Sequence, residues 1–446
     1  MLLRFEINRE LRLGLDAPDG NLLGFETAAL ATERALRPGL WESLLEEYQE
    51  RLLDQVCGLR RKPVSRPAPF TCPGCGSDQG FRRRGSRSRP RRLFTRMGRL
   101  SLRLAQVGCS CGRRFAPLLQ LLGVEPGARL APGLARRAVA LATQTSFAKA
   151  TDHLKVETGL APSVRTIRRL VRRSGERCDL TMPRSDLEQV PAILVDGTRI
   201  PAGPRLGRKH WNARGVELNI ACAVMKRDQS GRRPKAKLEI VGATVGERWR
   251  ALEPAIRACR DPGIVVSDGD WEIQKMLGRA VPQVPHQLCT FHIHHDVRHR
   301  LWRDGVAFQS RGEIADGLLL PILNAHSQNS RLKALQSALD LAVGNGWKHT
   351  AGHLGRSGER VSTWRSVKYG NRAWRMDGRS QPEHTTSVLE RVMREVNRRI
   401  DCAGNRWTVP GARAMVNLLL ASRYEHPQWR GLWKDHGNVE TWAGLR

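Results

Sequence analysis

The chain has 446 residues and carries 75 Lys and Arg against 43 Asp and Glu, a formal net charge of +32. Such a surface repels itself unless an anion lies against it, which points to nucleic acid and excludes most enzymes of small metabolites. With 40% hydrophobic residues the chain can bury real cores and is no disordered basic tail, and its length allows about two to four domains.

Ten cysteines are too few and too scattered for a secreted disulfide scaffold, so a reducing, intracellular compartment is expected and any cysteine cluster reads as metal-binding. The first ten residues include acids and lack an apolar segment, so no signal peptide is expected. No apolar run approaches the ~18 residues a membrane span needs.

Residues 1–57 form the first expected unit. From residue 24 to residue 57 apolar side chains recur at helical spacing with a break near Pro38, and many acids are concentrated there. The composition then turns sharply. Residues 58–114 hold sixteen Arg and Lys and one acid, Asp78, so nearly half the excess charge sits in this stretch.

Within it, Cys72-Pro-Gly-Cys75-Gly and Cys109-Ser-Cys111-Gly flank strand-like sequence. Thiolates a few residues apart on tight Gly-containing turns can converge tetrahedrally on Zn²⁺, and four of them leave no open coordination position, so the metal would be structural. The second pair has one intervening residue rather than two, and reduced thiols in loops are the alternative. A zinc-binding basic module is therefore expected over residues 58–123.

An all-α segment is expected over residues 130–180, with helices at 134–144, 146–156 and 163–173. The last opens at a capping residue, Ser163, and sets Val164, Ile167, Leu170 and Val171 on one stripe, with Arg165, Arg168, Arg169, Arg172 and Arg173 over the rest. This pattern predicts a helix-turn-helix with a DNA-binding last helix. A three-helix bundle with a solvated arginine face is the alternative.

From residue 185 the period changes to that of strands. The run 192–195 leads into Asp196, strands are expected at 218–225 and 237–245, a helix at 247–259, and the run 263–267 leads into Asp268. Carboxylates on neighbouring strands repel, and a divalent cation converts that repulsion into attraction. Oxygen-only ligands select Mg²⁺ (or Mn²⁺), and two such ions suit in-line phosphoryl transfer. A third acid is needed. Each Asp-Gly taken alone also reads as a structural turn.

The VDGT around Asp196, the VVSDGD around Asp268, the Cys289-Thr-Phe-His292 beyond it and the TTSVLERVMREVNRR around Glu390 together resemble the Mutator-like class of DDE transposases of bacterial insertion sequences. The resemblance covers roughly residues 185–425. It implies an α/β ribonuclease H-like catalytic domain with a helical insertion at about 300–380, preceded by the zinc-ribbon-like module and the helix-turn-helix, and followed by a tail at 426–446. Asp196, Asp268 and Glu390, separated by 72 and 122 residues, match the catalytic acids and would hold Mg²⁺ (or Mn²⁺). Asp270 and Glu395 are their rivals.

Cys289 and His292 match a Cys-x-x-His element associated with the site. The implied function is binding of terminal inverted repeats in double-stranded DNA, metal-dependent cleavage of the element ends and transfer of the freed 3′-hydroxyl to target DNA. A dimer or higher assembly in a prokaryotic cytoplasm, at the nucleoid, would carry it out. A transposase-derived DNA-binding protein without catalysis and a ribonuclease H-fold nuclease are the alternatives. The run His292-Ile-His294-His295 also resembles the signature of single-strand transposases that use a Tyr nucleophile, but this chain has only Tyr48, Tyr369 and Tyr424. Residues 349–378 are basic with Trp364, Tyr369 and Trp374 interleaved, a composition suited to stacking on bases or to packing the insertion.

Overall fold

A computed structural model of the chain describes residues 22–57, 67–188, 190–203, 215–228, 235–365, 384–401 and 407–434. The chain divides into two compact units, Met1–Val171 with Arg430–Arg446, and Arg172–Trp429. Tyr369 and Trp374 lie outside the described residues.

The first unit opens with one long helix, α1 (Leu22–Cys57), which runs through Pro38 without the expected break. Proline removes one backbone hydrogen bond, but the helix is held from outside. The strands that follow in this unit are β1 (Arg82–Ser86), β2 (Arg91–Thr95), β3 (Gly98–Leu102), β4 (Ala105–Gly108) and β5 (Arg114–Phe115). Glu42 accepts from the Ser101 amide, Glu46 from the Arg103 amide at 3.0 Å, and Gln49 from the Ala105 amide at 2.9 Å. Four helical residues rise ~6 Å, close to the ~6.7 Å of two strand residues, so acceptors one turn apart meet alternate amides of the extended chain. Gly98, at φ +111°, lies against this helix, and a Cβ there would meet the Pro38 ring at 2.8 Å.

Strands β1, β4 and β5 form an antiparallel sheet in the order β1-β4-β5, and β2 and β3 form a separate hairpin. Leu52, Leu53, Val56 and Cys57 of α1 share a core with Phe70, Phe81 and Val107, so the helical preface and the basic module are packed together. After α2 (Pro117–Leu121) come α3 (Pro132–Gln144), α4 (Phe147–Thr158) and α5 (Val164–Glu176), close to the expected three helices. Ser146 caps α4 by accepting from the Lys149 amide, and Gly159, at φ +70°, ends it. Ser163 accepts from the Thr166 amide at the start of α5. Helix α5 runs on into the second unit.

The second unit is built on β6 (Ala192–Ile200), β7 (Val216–Asp228), β8 (Lys235–Val245), β9 (Val265–Ser267) and β10 (His286–Leu288), in the order β10-β9-β6-β7-β8. The β6–β7 and β7–β8 pairs are antiparallel, whereas β6–β9 and β9–β10 are parallel. Residues 247–259, expected as one helix, contain a 3₁₀ turn (Trp249–Leu252) and the short α6 (Glu253–Arg257) instead. Pro254 has no N–H to continue the 3₁₀ turn and sits where a new helix can start.

Side chains alternate along β6. Ile193 and Val195 pack with α6 and α7 (Trp271–Ala280) through Ile256, Ile273 and Met276, so Leu194 and Asp196 face the opposite side. That side is covered by α12 (Ser387–Asp401), and α13 (Val409–Arg423) packs against β8. Burial on both faces explains why β6 reads as an unbroken apolar run up to Asp196.

Between β10 and α12 lie α8 (Thr290–Arg303), α9 (Arg311–Asn324), α10 (Gln328–Gly344) and α11 (Lys348–Ser357). Val297, Leu301, Leu318, Ile322, Leu335 and Leu354 give this helical layer its own core. Trp364 is buried and stacks on His384 at 5.0 Å, so here it packs the insertion rather than facing a base. Helix α13 is buried through Val416, Leu418 and Leu420.

A close approach between two helices of this unit tests the packing directly. A Cβ at Gly175 of α5 would come within 2.5 Å of the Ala414 backbone on α13, whereas one at Gly317 of α9 meets nothing within 4 Å. Gly175→Ala should cost about 1–3 kcal/mol by overpacking, and Gly317→Ala should gain about 0.5–1 kcal/mol from helix propensity. Urea denaturation of the two variants reads both.

Candidate functional site

Parallel pairing brings the first two acids together. Val195 of β6 stands opposite Ser267 of β9, so Asp196 and Asp268 follow paired residues on strands ~4.8 Å apart. Asp196 lies in the middle of its strand rather than at the end, with 4% exposure, and Asp268 directly follows β9. Burial holds the Asp196 carboxyl above its ordinary range. The His292 charge, the Gly197 amide and the Thr386 hydroxyl act against that, and Glu390 adds to it. Burial also pushes Asp268 up to about 6, opposed by the Asp270 amide and assisted by the Asp196 charge. Glu390, in the first turn of α12, thus acts on Asp196 electrostatically.

The rivals are engaged elsewhere. Asp270 caps α7, accepting from the Glu272 amide at 2.6 Å and the Ile273 amide at 3.4 Å. Glu395 pairs with Arg423 at 3.4 Å rather than with an arginine of its own helix. Five helical positions, about 140° around the axis, separate it from Glu390.

Cys289 is fully buried immediately before α8, with its amide donating to the Ser267 carbonyl at 2.7 Å. Thr386 joins the surrounding groups. Its amide donates to Cys289 Sγ at 3.3 Å, its hydroxyl lies 3.5 Å from the same sulfur and 3.4 Å from His292 Nδ1, and it also bonds Asp196. The hydrogen bond to Cys289 pushes His292 up to about 9, with the Asp196 and Asp268 charges adding to it. Burial would raise the Cys289 thiol, but hydrogen bonds from His292 and Thr386 outweigh it and hold the thiol below its ordinary value.

A thiol, an imidazolium and a threonine hydroxyl therefore stand behind the carboxylates. Thr386 carries little mark of this role in the sequence. Its one signal was its position, four residues before Glu390 at the start of a helix. The three histidines of the His292 run diverge: His292 faces Thr386, His294 bonds Asp316 at 2.8 Å, and His295 is exposed. Alternate residues point apart on a helix, so the arrangement a Tyr-nucleophile site would need is not formed by these residues.

Among the described residues, only Cys72, Cys75, Cys109 and Cys111 bring three or more metal-ligating atoms within 4.8 Å of one another. Asp196, Asp268 and Glu390 are coupled without converging to that extent. The cysteine sulfurs approach at 3.6 Å in the Cys72–Cys111 and Cys75–Cys109 pairs. Zinc–sulfur bonds of ~2.3 Å would set tetrahedral thiolates ~3.8 Å apart, so the set fits structural zinc.

Each cysteine pair sits on a turn closed by the backbone: the Gly76 amide donates to the Cys72 carbonyl and the Gly112 amide to the Cys109 carbonyl. Gly76 and Gly112 take φ +74° and +87°, the left-handed region that glycine enters without cost. The Cys111 amide draws the Cys109 thiol down to about 6.

On α5, Arg165, Arg168, Arg169, Arg172 and Arg173 are all exposed, while Ile167 and Val171 are buried. Arg168 lies over the Phe147 ring at 5.5 Å, and Arg172 pairs with Glu176 at 2.8 Å.

Two tests follow from this geometry. Metal analysis of the purified chain should find one zinc, and Cys72→Ser or Cys109→Ser should lose it together with about 2 kcal/mol or more of stability of the first unit. The native pKa of Asp268, about 6, exceeds the ordinary value of about 3.9. The native state therefore binds more protons than the unfolded chain between these values, and stability falls as pH rises through that window. Asp268→Asn should stabilise the metal-free protein by about 1–2 kcal/mol at pH near 7, and the gain should vanish below pH of about 4. Chemical denaturation across that range checks it.

No family model matches the chain, and no curated protein matches it. Among solved structures the chain is similar to "Drosophila P element transposase strand transfer complex" at 12% sequence identity, over 71% of this chain and 86% of that chain, with a TM-score of 0.25.

Proposed function

We propose that this chain is a DDE-class DNA transposase whose second unit is a ribonuclease H-like catalytic domain. The observation that carries the reading is the meeting of Asp196 and Asp268 on parallel neighbours of one sheet, with Glu390 acting on Asp196 from the helix that covers that face. Three antiparallel strands continued by two parallel ones, in the order β10-β9-β6-β7-β8, also agree with that fold. Asp270 and Glu395, already engaged as a helix cap and in an ion pair, leave the assigned acids as the better candidates.

The three carboxylates are all-oxygen donors, and burial and mutual repulsion disfavour the charge of Asp196 and Asp268, so the set suits Mg²⁺ or Mn²⁺. When bound, such ions supply the electrostatic clamp and activation that in-line phosphodiester cleavage and strand transfer need. The rest is done by the chain's own groups. Thr386 orients Asp196 through its hydroxyl, the His292 imidazolium offsets part of the carboxylate charge, and Cys289 keeps that imidazole protonated and in place. The four-cysteine module and the arginine face of α5 hold double-stranded DNA at the terminal repeats through phosphate contacts, with a few base contacts supplying choice. Two ends must be joined together, so the working form is a dimer or larger.

A second reading, a transposase-derived DNA-binding protein without catalysis, draws on the incomplete convergence of the carboxylates. One assay separates the two. With Mg²⁺ and end-bearing DNA, wild type should yield strand-transfer product. Asp196→Ala, Asp268→Ala and Glu390→Ala should each reduce it about 10²-fold or more, a barrier change of about 2.7 kcal/mol. Glu395→Ala should retain it and lose no more than about 1 kcal/mol of stability, as expected for an exposed pair. Absence of product from wild type, with DNA binding retained, favours the binding protein, and unchanged product in the three acid variants removes the metal-site assignment.

A further inference from the structure

The outer face of α8 has an unusual composition. Phe291 and Trp302 are 62% and 55% exposed, and His295 and Arg298 between them are also exposed. At 100° per residue these four side chains fall within about 60° of arc and span ~16 Å of helix. The opposite side of α8, through Ile293, Val297 and Leu301, is buried in the helical layer. Asp296 is the one carboxylate of α8, and it faces Gly269 in the loop after Asp268.

Trp271, 71% exposed, begins α7 three residues after Asp268. Because Ser267 and Leu288 are parallel partners, Trp271 and Phe291 leave neighbouring strands at the same edge of the sheet. The Phe291 ring lies against His292 at 5.7 Å, next to the carboxylates. The His299 ring lies tilted against Trp302 at 5.2 Å, which extends the alternation of rings and basic groups away from the site.

Aromatic faces interleaved with cations suit unstacked bases and their phosphates. We propose that the exposed face of α8, headed by Trp271, is a track that holds an unpaired DNA strand leading away from Asp196 and Asp268. Trp271, Phe291 and Trp302 stack on bases and Arg298 contacts phosphate. The choice of DNA as the strand rests on the function proposed above; the stacking chemistry does not.

The test uses the full chain and a fluorescently labelled oligothymidylate, with a duplex of similar length for comparison, and reads binding by anisotropy. Trp271→Ala, Phe291→Ala and Trp302→Ala should each weaken oligothymidylate binding about tenfold, with duplex affinity changed less than about twofold because phosphate contacts elsewhere dominate it. Phe291→Trp should restore binding, and unchanged melting temperatures would show that the exposed truncations leave the fold intact. Arg298→Ala should lower the salt slope of oligothymidylate binding by about one.

Wild-type binding in all three alanine variants overturns the track. A loss of self-association in sedimentation, without loss of oligothymidylate, makes the face a protein interface and also overturns it. Tighter binding of oligouridylate RNA overturns the choice of DNA. If the acid variants retain strand transfer while the aromatic variants lose oligothymidylate, the catalytic assignment falls and the track stands.

Discussion

The second unit is organised by one unfavourable interaction, the mutual repulsion of carboxylates buried at the β6–β9 pair. Two unit charges ~5 Å apart repel by about 3 kcal/mol at an effective dielectric of 20, and burial disfavours both anions further. Paired strands covered on both faces have the rigidity to hold such groups together. The surroundings then lower the cost without removing it. The imidazolium of His292 stands near both acids, Cys289 keeps it charged, and Thr386 ties the thiol, the imidazole and Asp196 into one network. Both Asp carboxyls remain above their ordinary range, so the surrounding residues offset only part of this repulsion.

The first unit has the opposite problem, too much positive charge in too small a core. Sixteen basic residues in 57 positions leave little apolar sequence to bury, and a module of this size ordinarily needs a metal or another staple. Two devices are present. The cysteine turns fit one zinc, and α1 contributes both apolar side chains and acceptors. Glu42, Glu46 and Gln49 bond the backbone amides of residues 101, 103 and 105, while Glu50 and Asp54 hold Arg83. The acids of the N-terminal helix thus serve the basic strands beside them, and they protect an extended edge that would otherwise be open.

Helix α8 connects the helical layer to the site. Its inner face packs with α9 to α11, its first turn carries His292 toward Thr386, and its outer face presents rings and cations to solvent. The short span from Cys289 to Phe291 sets these roles side by side, so that a nucleic-acid strand on the outer face would end at the carboxylates.

Much of this was legible in the residues because local rules govern it. Unbroken apolar runs marked β6 and β9, the apolar stripe set among arginines behind Ser163 marked α5, and the spacing of Gly-containing cysteine turns marked the four-cysteine cluster. Each depends on side-chain period or on turn chemistry within a few positions. Other features depend on contacts between distant segments. Pro38 reads as a helix break until strand amides some 60 residues away hold the helix together, and Glu395 finds Arg423 on a different helix. Thr386 gained a role only when β6, α8 and α12 met, because a hydroxyl at a helix start carries no local sign of a thiol 97 residues earlier in the chain. Composition and motif spacing by themselves determined the classes of residue this protein uses. The register of β6 against β9 and the packing of α12 across that face decided which acids share a field, since Coulomb and hydrogen-bond energies depend on separation in space and sequence distance does not set it.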